Sequence, residues 1–467
     1  MLHLSPIDIA IVILYIAGVL FIGFRRSWKT DTSKDREHYL LAGRKLTVPF
    51  FVATLVATWY GNILGVGEFV YNNGLVAWLC FGIAYYITAI IYALYFAGRI
   101  RNLNIYSIPE QIKNRYGLTS SIIASLIVLI VTIPAAYILM TGYLLHLFTG
   151  WNLTLCVIGG ALVSVVYLQS GGFDSDVKTN TFQFVLMYVG FGVLLVFAVL
   201  QYGSPLKLFS DLPANHTKLF GGLSWQYIFS WFLIACQTFI DPSFHQRCSA
   251  AETPATAKKG ILISVGFWLI FDILTLLTGL YARAHFKISD GAMAYPVLSE
   301  AILPVFWKGL FVVAMLATIM STLVSYSFLS ASTIGNDILD KILNRKGVRF
   351  SSYILTNIGL IITMIFGILL ALALPSPVEL VYSTASIAVP GLIMPLLLSF
   401  SSKNYLSNKT SIALMIISVS SAGLWYIGRF AGIHAIFNDF EPMVVGIVVS
   451  LIMSLIFVVS KKRRGTI

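Results

Sequence analysis

Apolar residues in this chain come in long blocks, separated by short stretches of Gly, Pro, Asn and charge. An α-helix needs about 20 such residues to cross the hydrocarbon core of a bilayer. The pattern predicts thirteen membrane helices, at residues 6–24, 47–71, 75–98, 119–146, 152–169, 177–201, 223–241, 260–283, 307–332, 352–374, 378–400, 409–428 and 441–460. The first block has no Lys or Arg before it and is followed by Arg25 and Arg26. That order fits a retained first span with its N-terminus outside, not a cleaved signal peptide.

The basic residues test that orientation. With the N-terminus outside, the inside segments hold 25 of the 31 Lys and Arg and the outside segments hold 6. Positive charge collects on the cytoplasmic side of membrane proteins. The odd number of spans then puts the tail at 461–464 in the cytoplasm of a multi-pass protein of the cell (inner) membrane. The longest connections, 202–222 and 284–306, leave no room for a soluble domain between spans.

Composition agrees. Apolar residues make up 58% of the chain and charged residues 11%, where soluble domains have about 45–50% and about 25%. The net charge of +12 would suggest nucleic acid in a soluble protein. Here it lies between apolar blocks, so topology explains it and a nucleic-acid partner is not expected. Cys80, Cys156, Cys236 and Cys248 make no CxxC pair, and read as small packing residues.

Three departures from the apolar pattern carry candidate chemistry. The second span holds Gly61, Asn62, Gly65, Gly67 and Glu68. Glycine weakens a helix by about 1 kcal/mol, so this is either a broken helix, whose freed carbonyls can serve ions and solute, or a close packing seam. The ninth span puts Thr318, Ser321, Thr322 and Ser325 on one face by i, i+3, i+4, i+7 spacing. Hydroxyls in that array either bond back to their own helix or bind a hard cation. The third departure is carboxylates within spans: Asp272, Glu68 and Asp241. Such groups are costly and usually functional, though Asp241, before Pro242, also suits a helix end. Glu379, after Pro375 and Pro377, suits an outer helix start. His146, His216, His285 and His434 look isolated, and His245 alone lies near these segments. No HExxH, GxSxG or Walker pattern is present.

Taken together, Tyr39-Leu-Leu-Ala-Gly-Arg44-Lys-Leu46, Tyr71-Asn-Asn-Gly74-Leu75, Ile108-Pro109-Glu110 with Arg115-Tyr116-Gly117, Gly171-Gly172-Phe173 with Thr179 and Gln183, and Gln246-Arg247 with Lys258-Lys259-Gly260 resemble the sodium:solute symporter family over roughly residues 5–460. The resemblance implies an all-α, leucine-transporter-like core of two inverted five-helix repeats. It divides the chain into 1–46 (first helix and cytoplasmic loop), 47–201 (spans 2–6), 202–400 (spans 7–11) and 401–467 (two peripheral helices and tail). No internal repeat is visible in the sequence itself.

The resemblance also implies a Na⁺ site made by Leu55 and Thr58 of the second span with the Thr318 carbonyl and the Ser321 and Thr322 hydroxyls. It implies solute-facing positions at Asn62, Asp241 and Trp268, with Asp272 one turn beyond Trp268, and a gating role for Arg44, for which contact with lipid headgroups is the alternative. A second Na⁺ site of some members has an aspartate where this chain has Asn180, and one of two hydroxyls where it has Val324, the other matching Ser325; one Na⁺ per cycle is therefore expected. The expected function is Na⁺-coupled symport of a small organic solute by alternating access. Proton coupling through Asp272 is the nearest alternative, and a channel or membrane enzyme the alternative of another class. The carboxylates point to an amine-bearing solute, or equally to a proton or structural hydrogen bonds.

Overall fold

The computed structural model describes residues 3–25, 36–166, 168–374, 377–433 and 440–463. Arg26, His434 and Arg464 lie outside them, as does the Glu379 side chain. Among the described residues there is no β-strand, only an isolated bridge between Leu46 and Ala251. Backbone polar groups have no water partners in hydrocarbon, so helices that satisfy their own hydrogen bonds are the expected spanning form.

Among the described residues ten helices are long and apolar enough to cross a membrane, or eleven if the pair Val48–Trp59 and Ile63–Asn73, bent by 61°, is one span. Two further helices fall at predicted spans but are shorter: Leu153–Val165, and Trp225–Ala235 with a tight turn of helix to Phe239. Predicted boundaries move in places. The ninth helix runs on through a wide turn to Arg345, past the expected end at 332. The sixth starts at Leu168, ahead of the expected 177, and breaks at Gly172, whose φ is +56°. A Cβ there would lie 2.5 Å from the Tyr39 carbonyl oxygen, so glycine lets the chain between the first two spans press against this helix.

The seventh predicted span needs a larger correction. The chain does not leave the membrane domain at 241. Asp241 accepts a hydrogen bond from the Ser243 N–H at 2.7 Å, and Pro242 opens a new helix, Pro242–Ala250, in which every residue is buried. An acidic N-cap before proline is a strong helix start. The second and seventh spans are therefore both interrupted.

The ninth span is the axis of the molecule: 94% of its most apolar window is enclosed, against 22% for the first helix and 28% for the last. Large apolar side chains such as Leu14, Leu155, Leu369 and Leu455 face outward, as lipid contact requires. The connections at 202–222 and 284–306 are structured. They include helices Pro205–Asp211 and Ala294–Ile302, and they bury His216 and Tyr295 against the helix bundle.

Candidate functional site

The second span ends its first helix at Trp59, passes through Tyr60–Asn62, and restarts at Ile63. The last carbonyls of a helix have no partners within it. Here the ninth span supplies them. The Ser321 hydroxyl donates to the Ala57 carbonyl at 2.7 Å and the Thr322 hydroxyl to the Thr58 carbonyl at 2.8 Å. Ser321 also donates to the Thr318 carbonyl at 2.9 Å, while the Thr318 hydroxyl is tied to the Ala314 carbonyl. A Cβ on Gly61 would sit 2.4 Å from the Thr322 Cβ. Glycine is needed there because the two helices touch at the break.

Thr58, Thr318, Ser321 and Thr322 thus meet at one buried cluster of neutral oxygens. Leu55 is fully buried one turn earlier. The freed carbonyl beside Ser321 belongs to Ala57, a residue that sequence reasoning did not name. Neutral hydroxyl and carbonyl oxygens suit a hard monovalent cation, which needs oxygen ligands and no buried carboxylate.

One turn further along the ninth span, at Ser325, lies a second cluster that sequence reasoning missed in part. Arg247, one of the 25 Lys and Arg that the expected orientation places inside (in the segment 247–259), is 0% exposed. Its guanidinium donates to Thr54 at 3.0 Å, Thr58 at 2.8 Å, Ser325 at 3.1 Å and Asp176 at 3.4 Å. Asn180 is buried as well, and its amide donates to Thr54, Asp176 and Ser325. Asp176 also accepts from Ser325 at 2.7 Å. A carboxylate is therefore present after all, one turn before Asn180, and a guanidinium already neutralises it. The spacing of Asp176, Asn180 and Gln183 (i, i+4, i+7) was the signal for a polar helix face. It was hidden by starting the sixth span at 177.

Above these clusters a cavity of about 110 Å³ is lined by Trp59, Tyr60, Asn62, Tyr85, Asp241 and Asp272, among others. It shares Asn62, Phe81, Tyr85 and Gln237 with a chamber of about 300 Å³ that reaches Glu68, Asn73 and Tyr227. Asp272 accepts from Tyr60 at 2.8 Å and from Tyr86. Asp241, besides capping its helix, accepts from Tyr326 at 2.9 Å. Trp268 is 1% exposed and packs on Trp59 at 5.3 Å, so it backs the cavity wall. The carbonyl oxygen of the Asn62 side chain has no hydrogen-bond partner. His245 is buried among Tyr92 and Phe400, away from both clusters' hydrogen bonds.

Arg44 stands apart from the cavity. It pairs with Glu37 at 3.0 Å and donates to the backbone carbonyls of Ser249 at 2.9 Å and Asn104 at 3.1 Å. It is 8% exposed, so protein carbonyls, not lipid headgroups, receive its donors. It ties three segments of the chain together.

Two interrupted helices around a buried polar cavity, crossed by a hydroxyl-rich helix, define a secondary transporter fold. The same fold occurs in a Na⁺-coupled sialic acid symporter solved in a substrate-bound outward-open state, with a TM-score of 0.81 over 97% of this chain and 98% of that one at 17% identity. The model of the sodium:solute symporter family matches residues 39–415, and the chain belongs to that family. It is a sodium-coupled solute symporter. Relatives include a sodium/proline symporter of Haemophilus influenzae, 28% identical over 69% of each chain. Another is a sodium/glucose cotransporter of Vibrio parahaemolyticus, 26% identical over 76% of this chain and 72% of that one.

Proposed function

We propose that this chain moves one Na⁺ per cycle down its gradient together with a small organic solute held in the cavity beside Asn62, Asp241, Trp268 and Asp272. The observation that carries this is the pairing of Ser321 and Thr322 with carbonyls at the break of the second span. Na⁺ would exchange these hydrogen bonds for ligation by the same oxygens, the carbonyls of Ala57, Thr58 and Thr318 and the hydroxyls of Ser321 and Thr322, with the Leu55 carbonyl added. Binding there would lock the second and ninth spans together and so favour one state over the other. Inward movement of the charge gains about 2.3 kcal/mol per 100 mV of membrane potential.

The stoichiometry follows from Arg247. The oxygens of Thr54, Thr58, Ser325 and Asp176 already surround a covalently held positive charge, so a second Na⁺ gains little by entering. Arg44, bridging three inner segments, is suited to hold the cytoplasmic side closed. In this reading the two short helices also cross the membrane, which makes thirteen crossings, with the N-terminus outside and the C-terminus inside. Spans 2–6 and 7–11 form the two inverted repeats, each opening with an interrupted helix.

The test is Na⁺-dependent uptake by the Ser321→Ala, Thr322→Ala double variant. An interaction with a charged partner is worth about 1.5–3 kcal/mol. The Na⁺ concentration for half-maximal uptake, or for half-maximal thermal stabilisation, should rise by about tenfold or more. Unaltered Na⁺ dependence in a folded double variant removes this cluster as the ion site.

A further inference from the structure

We propose that the solute carries a positive charge, as an ammonium group on a compact organic body, seated between Asp241 and Asp272 against the aromatic faces of Trp59, Tyr85 and Tyr137. This rests on the sodium-symport reading and adds the solute's chemical class to it.

The argument starts from charge. Three buried carboxylates surround the cavity and the polar cluster beneath it: Asp176, Asp241 and Asp272. Among the described residues they share one buried cation, Arg247, whose ion pair is with Asp176. Asp241 accepts from a backbone N–H and a phenol, and Asp272 from two phenols. All of these donors are neutral. They orient each carboxylate and cancel no charge. Leaving ionised groups uncompensated in a low-dielectric site is costly. One Na⁺ on neutral oxygens supplies one positive charge and leaves one to be found. An ammonium solute supplies it; that it binds with sodium already in place is what the sodium-symport reading adds, through the locking of the second and ninth spans.

The lining agrees with the charge. Trp59, Tyr85 and Tyr137 line the same cavity as the two carboxylates, and aromatic faces attract cations most strongly where water is excluded. Besides the Tyr382 phenol, two polar acceptors of this lining are unmatched. The Asn62 side-chain oxygen lines both the cavity and the outer chamber, and the Ser386 hydroxyl, 1% exposed, lines the chamber. Both can accept from N–H groups. An anionic solute would meet two like charges and no unpaired cation, and such juxtapositions exclude partners strongly.

The experiment is a thermal-shift measurement on the full chain in detergent or lipid discs, with Na⁺ and with K⁺ in its place. The probes are choline, ethanolamine and 1,4-diaminobutane as cations, myo-inositol as a neutral solute and pyruvate as an anion. At least one ammonium probe should raise the melting temperature in Na⁺ only, and myo-inositol and pyruvate should not. Asp272→Asn should weaken that probe by about tenfold or more while keeping the shift produced by Na⁺ alone. Trp59→Leu, which leaves both carboxylates in place, should weaken it too and serves if Asp272→Asn does not fold. The proposal is overturned if no ammonium probe acts, or if myo-inositol or pyruvate acts in Na⁺. It is equally overturned if both variants bind the cation as the wild type does. Uptake of a neutral solute driven by a proton gradient also overturns it, since a proton on Asp272 would then supply the missing charge. Loss of the shift from Na⁺ alone in the wild-type chain strikes the sodium-symport reading instead, so the two failures are distinct.

Discussion

Arg247 shows how one side chain can set the character of a site. Buried whole, it links the inner half of the seventh span to the sixth through Asp176 and to the second and ninth through Thr54, Thr58 and Ser325. Removing one partner of a buried pair costs about 3–5 kcal/mol, because the other is left charged and unpaired. Arg247→Gln should therefore lower thermal stability strongly, and adding Asp176→Asn should recover part of the loss. If the single variant melts like the wild type, the pair is not formed in the folded protein. With the guanidinium in place, uptake should follow Na⁺ with a Hill coefficient of about 1, and Asn180→Ala should leave that coefficient unchanged. A coefficient approaching 2 in the wild type, lost on replacing Asn180 or Ser325, would show a second ion binding there. Gly61 makes the complementary case. Gly61→Ala would drive a methyl group into Thr322. Overpacking of this kind costs about 1–3 kcal/mol, and here it pushes apart the two helices that carry the ion ligands. A fall in melting temperature together with weaker Na⁺ dependence is expected; a drop in stability alone would place the contact outside the ion site.

At the scale of elements, the two interrupted spans do different work. The break in the second exposes carbonyls to hydroxyls. The break in the seventh turns a capped helix inward and brings Asp241 to the cavity and Arg247 below it. The first break was legible, because Gly61, Gly65 and Gly67 with Asn62 depart visibly from an apolar helix. The second was not, because Asp241-Pro242 is also how an ordinary loop leaves a membrane, and local sequence does not say whether the next helix is buried. The outer connections add a contact with a pH dependence. The His216 ring meets the Tyr71 carbonyl at 3.0 Å, and burial holds its imidazole below the ordinary value. The neutral ring donates to that carbonyl, and the folded state binds the extra proton less readily than the unfolded one. The stability that the buried neutral ring contributes is therefore fully present above the unfolded value of about 6.5 and falls as pH drops below it, because burial opposes the charge although the hydrogen bond to Tyr71 favours it. Protection factors of the 212–222 amides, with the intrinsic pH dependence of exchange divided out, should fall on acidification through that range, and His216→Gln should remove most of the change.

For the whole molecule, the membrane orientation proposed from charge survives the removal of Arg247 from the cytoplasmic tally, since the remaining excess is large. Native cysteines Cys80, Cys156 and Cys248 are buried, so introduced ones can be read against a low background. Cysteines at Gly347 and Lys403 should react in intact cells only with a permeant reagent, and cysteines at Lys218 and Ser289 also with an impermeant one. All four positions are exposed. Impermeant labelling at Gly347 would overturn the thirteen-crossing arrangement. The sequence by itself determined the helical class, the position of most spans and the hydroxyl face of the ninth span, and it narrowed the glycine-rich second span to a break or a packing seam. Each of these is a local pattern of hydropathy or spacing, and a bilayer imposes such patterns on every segment separately. Tertiary structure alone decided which carbonyl meets which hydroxyl: Ser321 finds Ala57 across 264 positions of chain. It also decided that Asp176 and Arg247, 71 residues apart, are partners inside the protein. Those facts depend on how helices pack, and no spacing along one helix records the charge that another helix will bring against it.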